Sequence, residues 1–463
     1  MLRKLVCGEA MDNTVEQLTQ QLGSFDPTER RQAMEALAAL TRAGKIELLP
    51  RKGWINLHCH TFFSYNAYGY SPSWFAWEAW RQGLDVAGIV DFDCLDGTHE
   101  FLEAGRLLGL KTTVGFETRV FIREYRHLVT NSPQEPGVSY LITTGFTEPP
   151  KPGTGAARTL TGMAARARSR NLVMLAKIND YLDPVRIDYE RDVLPLTAAG
   201  NATERHMLEA YETAARRLFP HDDRLAEFWS RKLGEGKEAV RALLHNSPAL
   251  RDLIRSRLMK HGGVGYAQPE EGSFPPLEEV IEMTLSCGAI PVAGWLDGTN
   301  DGEADPIELF EFFRSKGCAV ANIIPDRNWN VPEPERALKV RKLHEAVAAA
   351  QKLDLPILVG TEMNKHGSKF VDGFDSEALA PHLEEFRRGA HIAWGHTLLK
   401  MTAGVGYVGE WAEAHFGDRL GEKNEFFRRI GAAPYPGAEV MQRCTEIGPE
   451  GEPAEFQDAI AGA

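Results

Sequence analysis

Two kinds of hydrophobic periodicity divide the chain. In "TVEQLTQQL" and "DPTERRQAMEALAALTRAG", apolar residues recur at steps of three and four, which predicts helices over much of residues 1–50. Asp26 suits a cap, Pro27 a first turn and Gly44 a stop. From residue 54 short apolar runs alternate with helical stretches. Strands are predicted at "WINLH" (54–58), "VAGIVDF" (86–92) and "KTTVGFE" (111–117), with "SPSWFAWEAWRQGL" and "GTHEFLEAGRLLGL" as the helices between them. Further strands are predicted at 138–146, 171–178, 289–295, 318–324, 355–362 and 390–396. This β-α-β rhythm predicts an α/β fold, a closed or nearly closed barrel. Between about 180 and 280 the pattern is helical throughout, as in "ATERHMLEAYETAARRLF", and reads as an insertion or cap. The expected organisation is a helical extension over 1–50, a barrel over 51–400 interrupted by the insertion, and a helical or irregular segment over 401–463 packed on the barrel.

At 463 residues with 43% hydrophobic and 25% charged residues, the composition is that of a soluble globular protein. The net charge of −13 argues against a general nucleic-acid binder and leaves room for a local basic pocket. Six cysteines (7, 59, 94, 287, 318, 444) show no C-x-x-C pair, so a reducing, cytoplasmic setting is expected. No apolar run is long enough to span a bilayer, and no signal peptide is expected at the first residues. The sequence leaves the oligomeric state open.

The chemistry gathers at predicted strand ends. Residues i and i+2 of a strand share a face, so His58 and His60 can converge at the end of the first strand. In a β/α barrel that end faces the active site. Neutral imidazoles there suit zinc, iron or manganese; two histidines bonded in a polar loop are the plainer alternative. The second strand ends with Asp91 and Asp93, and the third with Glu117. Helix capping would explain Asp91, and turn chemistry Asp93. Glu117 closes an apolar strand, where an idle carboxylate is costly.

The segments "INLHCHTFFSYN", "GLDVAGIVDFDCLDG" and "VGFE" resemble the opening of the PHP family, the polymerase and histidinol phosphatase domain. Its members open with D-L-H-x-H-T-x-x-S-D-G, continue to a strand ending I-T-D-H-D-T-x-x-G and then reach G-x-E. Order and spacing match over residues 54–117, with weaker similarity to about residue 400. The resemblance implies a distorted, PHP-like β/α barrel of about seven parallel strands, up to three divalent metals at the C-terminal strand ends, and phosphoester hydrolysis. His58, His60 and Glu117 stand at the family's metal positions. Tyr65, Phe92, Tyr140 and Gly294 stand where the family carries other ligands, while Glu362 and Asn364 replace the Asp and His of its closing motif. The expected set is therefore a divalent metal (Zn, Mn or Fe, number open) on His58, His60, Glu117 and Glu362. Asp91, His366 and His396 are the candidate acid–base groups. Asn364 and Lys365 would bind a small anionic substrate.

Several features have plainer explanations. Thr203 suits a helix cap ahead of Arg205 and His206, the acidic loop at 297–305 does not match an EF-hand, and Trp74, Trp77 and Trp80 repeat at helical steps. Lys177, at the end of a predicted strand, would serve an amidohydrolase-like C–N hydrolase if carbamylated. The leading expectation is a metal-dependent phosphoesterase. The alternatives are a catalytically silent barrel that binds a ligand or partner, and the amidohydrolase-like enzyme.

Overall fold

The computed structural model describes residues 13–46, 49–269 and 272–462. Seven strands form one sheet in sequence order: β1 (Ile55–Cys59), β2 (Val86–Phe92), β3 (Lys111–Phe121), β4 (Val138–Thr144), β5 (Ile290–Trp295), β6 (Val320–Ile323) and β7 (Ile357–Val359). β1, β2 and β3 pair in parallel, as do β5, β6 and β7. β4 runs antiparallel to both its neighbours, which corrects the expectation of an all-parallel sheet. Residues 122–137, between β3 and β4, form turns and bends and no crossover helix, which allows the antiparallel pairing.

The sheet curls until its edges meet. A parallel bridge joins Cys59 to Glu362; His60 N–H donates to the Glu362 carbonyl at 2.9 Å, and Glu362 N–H to the His58 carbonyl at 2.8 Å. This seam is possible because position 360 is glycine: a Cβ there would stand 2.4 Å from the His58 nitrogen. Just past the seam, Glu362 and Met363 both hold left-handed φ values of 61° and 57°. Side chains rarely adopt that conformation without a compensating constraint. The result is a nearly closed, distorted barrel whose C-terminal strand ends carry the candidate residues.

The flanking helices bury their apolar stripes on this sheet. Pro27–Arg42, capped by Asp26, buries Met34, Leu37 and Ala38, and its Arg30 pairs with Glu100 at 2.6 Å. Trp77 and Trp80 of the Pro72–Arg81 helix are buried, the packing role their spacing suggests. Residues 1–12 of the expected N-terminal extension lie outside the described set. After the barrel, helices Glu410–Phe416, Leu420–Ala432, Ala438–Ile447 and Pro453–Ala461 contribute to the same hydrophobic cluster as the strands. No described helix is long and apolar enough to cross a membrane.

Two predicted strands are helices. Residues 171–178 end a 28-residue helix, Gly155–Leu182, in which Leu175, Ile178 and Leu182 are buried on one stripe while Leu172 and Val173 are exposed. Its lower half joins Glu204–Leu218, Asp222–Leu233, Lys237–Leu243 and Ser247–Leu258 around a separate hydrophobic cluster. Residues 390–396 lie within the Leu383–Ala403 helix. That helix is buried on nearly all sides, so its apolar run lacks the polar face that would have marked it as helical.

His396 is consequently not at a strand mouth. It is fully buried, its Nε2–H donates to the Gly145 carbonyl at 3.2 Å, and its Nδ1 accepts from Tyr407 N–H at 2.9 Å. A neutral imidazole offers one donor and one acceptor, which this pocket uses in full. Burial, with nearby Lys400, pushes its pKa down to about 4. The unfolded chain therefore binds a proton between pH 6.5 and 4 that the folded chain refuses, so stability falls as pH drops through that window. His396→Gln should remove about 2 kcal/mol of the stability difference between pH 7 and pH 5. Urea unfolding at the two pH values checks this; an unchanged difference would contradict it.

Candidate metal centre

His58, His60 and Glu117 converge as the i, i+2 rule anticipates. Among the described residues they are the one group of three or more possible ligands whose donor atoms lie within 4.8 Å of one another, and all three are buried. Glu117 Oε2 stands 3.0 Å from His60 Nε2 and 3.4 Å from His58 Nε2. Neither Nε2 meets hydrogen-bond geometry with a partner.

The far side of each ring explains this. His58 Nδ1 lies 3.0 Å from Asn322 Oδ1, and the Asn322 amide donates to the Leu358 carbonyl at 3.3 Å. With its NH₂ so engaged, Asn322 presents its oxygen to the ring, and His58 carries its proton on Nδ1. His60 Nδ1 lies 3.4 Å from Ser64 Oγ, whose hydroxyl donates to Asp91 at 2.6 Å. Ser64 must then accept from His60 Nδ1–H. Both Nε2 lone pairs are thus left facing the Glu117 carboxylate. Outer partners that fix the imidazole tautomer are the usual support of a metal site.

The electrostatics favour a cation. Burial raises the Glu117 carboxyl, but the two imidazoles outweigh it and hold its pKa at about 2. Burial lowers His60, yet Glu117, Asp91 and Glu362 together raise it above the ordinary value. Three buried donor atoms within 4.8 Å of one another fit a divalent ion with N and O ligands.

Other expected residues are placed differently. Glu362 is committed to Arg327, which donates to both its carboxylate oxygens at 2.8 and 2.7 Å. Burial raises Glu362, Arg327 lowers it further, and it stays ionised with a fixed cation as partner. It does not join the ligand group. Asp91 accepts from Thr61 N–H at 2.7 Å, Thr61 Oγ1 at 2.6 Å and Ser64 Oγ at 2.6 Å. It anchors the 60–64 turn and orients His60, and it has no free face for acid–base work. Lys365 and Asn364 line the cleft described below, whereas His366 is exposed and packs edge-on to Tyr68 at 5.5 Å. Thr203 caps its helix, with His206 Nδ1 accepting from Thr203 N–H at 3.0 Å. Lys177 is on a helix and donates to the Tyr266 carbonyl at 3.0 Å, far from serving a strand-end lysine's role.

Rings and backbone stand at the other strand ends. Phe92 stacks on His60 with centroids 4.3 Å apart and planes at 18°. Tyr140 lies 6.3 Å from Phe92, ring to ring. At Gly294 a Cβ would meet the Asn131 amide at 2.6 Å. The sequence reading missed Asn322 and Arg327. A lone Asn inside "CAVANII" was the available signal, since a buried amide in a strand must be paired.

A cleft of about 1020 Å³ opens over His58 and Glu117, walled by strand ends and by the helices of residues 155–258. Eight Arg or Lys side chains line it against five Asp or Glu. On a chain of net charge −13 this is a local basic basin, suited to an anion.

No protein-family model matches the chain, and no curated protein matches it. Among solved structures, an amidohydrolase from Chromobacterium violaceum, solved with bound sulfate and no metal, is similar at 14% identity and a TM-score of 0.46, over 71% of this chain and 95% of that one. A protein from Bifidobacterium adolescentis, provisionally described as a metal-dependent phosphoesterase, is similar at 17% identity and a TM-score of 0.44, over 73% and 98%.

Removing the amide that orients His58 should weaken the site without dismantling it. Asn322→Ala should lower affinity for Zn²⁺ or Mn²⁺ by roughly 10–100-fold, as loss of an outer partner typically does. Competition titration with a chromophoric chelator measures this, and unchanged affinity would deny Asn322 its orienting role.

Proposed function

We propose that the protein is a metal-dependent hydrolase, and specifically a phosphoesterase with one divalent ion on His58, His60 and Glu117. The observation that carries this reading is the pair of buried Nε2 atoms, each without a hydrogen-bond partner and each set in its tautomer by a group behind it. The PHP-like pattern over residues 54–117 supports the phosphoester form, as does the basic cleft.

A divalent ion there supplies Lewis-acid charge to the scissile group and to the attacking water. The protein's own residues do the rest. Asn322 and the Ser64–Asp91 relay hold the imidazoles rigid, so little reorganisation accompanies binding. Lys365 at the rim places positive charge along the approach of an anionic ester, while Arg327 is held by Glu362. Tyr140 keeps its proton, because burial raises its pKa, and its neutral hydroxyl belongs to the wall of the cleft.

Phe92, Tyr140 and Gly294 favour a single ion over a cluster, since an aromatic ring or bare backbone occupies each place where further ligands would have to stand. The same residues favour the second reading, a barrel that binds and does not hydrolyse. Elemental mass spectrometry on untagged protein separates the two. Wild type should carry one transition metal per chain, and His58→Ala/His60→Ala and Glu117→Ala should lose it. Hydrolysis of p-nitrophenyl phosphate should fall by roughly 100-fold or more in both variants, the scale of losing a metal's charge stabilisation. Wild type that stays empty after reconstitution with zinc, manganese and iron would overturn the hydrolase reading.

A further inference from the structure

Most cations of the cleft are already matched. Glu362 holds Arg327, and Glu204 binds both Lys260 and Arg255. Arg119, paired with Glu135, and Arg170, which has no carboxylate partner among the described residues, gather about one aromatic ring. Arg119 follows Glu117 by two on β3, so both side chains leave the same face, with Cα atoms roughly 7 Å apart. Arg170 reaches in from the opposite wall, the Gly155–Leu182 helix. Their guanidinium carbons stand 4.4 and 4.3 Å from the centre of one ring, Phe274.

Among the described residues, Arg119 is ion-paired with Glu135 at 3.0 Å, and Glu135 also accepts from Ser132 at 2.6 Å, whereas no carboxylate pairs directly with Arg170. Arg170 donates to a neutral acceptor, the Ser273 carbonyl, at 2.7 Å. The Asp93 carboxylate faces both guanidinium groups, but one of its oxygens accepts from Thr118 at 2.5 Å. Burial first, and then the charge of Arg119, pull Arg170 down to about 10. Two guanidinium groups gathered about one aromatic ring favour an anion beside them. Stacking on Phe274 fixes both planar groups without occupying all their donors, which is how arginines are preorganised for an anion.

We propose that Arg119 and Arg170, set about Phe274, form a second anion subsite, and that the substrate carries two anionic groups. One is the ester presented to His58, His60 and Glu117. The other is a phosphate or carboxylate bound by the two arginines, on the same face of β3 as Glu117. This inference rests on the hydrolase reading for its first group and on the arginine pair for its second.

Non-hydrolysable probes test it on the full chain. Propane-1,3-bisphosphonate and its homologues up to six carbons would be titrated calorimetrically against propylphosphonate, with and without Mn²⁺. In wild type the best bisphosphonate should bind at least tenfold tighter than the monophosphonate. Arg170→Gln and Arg119→Gln should each remove most of that ratio, and Arg170→Lys should keep part of it. Comparing variants cancels chelation of free Mn²⁺. 4-Phosphonobutyrate identifies the second group: binding like a bisphosphonate supports a subsite open to carboxylates, and binding like the monophosphonate supports one selective for phosphate. Equal affinity for the one- and two-anion probes in wild type would overturn the proposal. So would an undiminished ratio in an Arg170→Gln protein whose melting temperature matches wild type. Metal content, read on the same samples, fails separately: metal-free protein with Arg170-sensitive bisphosphonate binding would refute the metal reading and keep the subsite.

Discussion

The buried carboxylate of Glu117, facing the Nε2 atoms of His58 and His60, is the constraint around which the barrel mouth is arranged. Taking such a charge out of water costs several kcal/mol unless something positive meets it. The two imidazoles meet it. Each ring is turned by a partner from elsewhere in the fold: Asn322 from β6 for His58, and Ser64 backed by Asp91 from β2 for His60. Those partners would be wasted on a structural histidine pair, which could satisfy itself by donating to the carboxylate directly. His396 shows the contrast. It is just as buried, yet both its nitrogens are used in hydrogen bonds to neutral backbone groups.

The seam between β1 and β7 depends on the same few residues. His58 and His60 each contribute a backbone hydrogen bond to Glu362, so the strand end that presents the rings also closes the barrel. Gly360 permits the close approach, and the left-handed Glu362 and Met363 turn the chain away immediately afterwards. That turn delivers the Glu362 carboxylate to Arg327. A shift of the seam would therefore disturb the imidazoles, the Arg327 pair and barrel closure at once.

Much of this was legible in the sequence, and the failures have identifiable causes. The alternation of runs predicted all seven strands, and the i, i+2 rule placed His58 and His60 on one face beside Glu117. What failed was any element buried on every side. Residues 390–396 lost the polar stripe that marks a helix, and so His396 read as a strand-end residue. Residues 171–178 misled for a different reason, an apolar cluster that includes two exposed positions, Leu172 and Val173. Glu362 was expected as a metal ligand, but it is held by Arg327, 35 residues away, and no local pattern links the two. Arg119 was within reach of the same rule that found His60, because β3 continues four residues past Glu117. The prediction ended that strand too early.

The positions that depart from the PHP-like pattern are not simply empty. Phe92 covers one face of His60, Tyr140 pairs with Arg119 across β3 and β4, and Asn131 fills the space over Gly294. Arg327 gives Glu362 a permanent positive partner. Under the reading proposed above, charge that further ions would bring is supplied instead by guanidinium groups that cannot dissociate. Fixed cations bind anions without exchange and without pH dependence near neutrality, but they cannot lower the pKa of water as a metal does. A site with one ion and several arginines should therefore hold its substrate strongly at both ends while leaving all activation of the nucleophile to the His58–His60–Glu117 corner. That division of labour explains why the three residues with the most elaborate support are the three that kept the pattern.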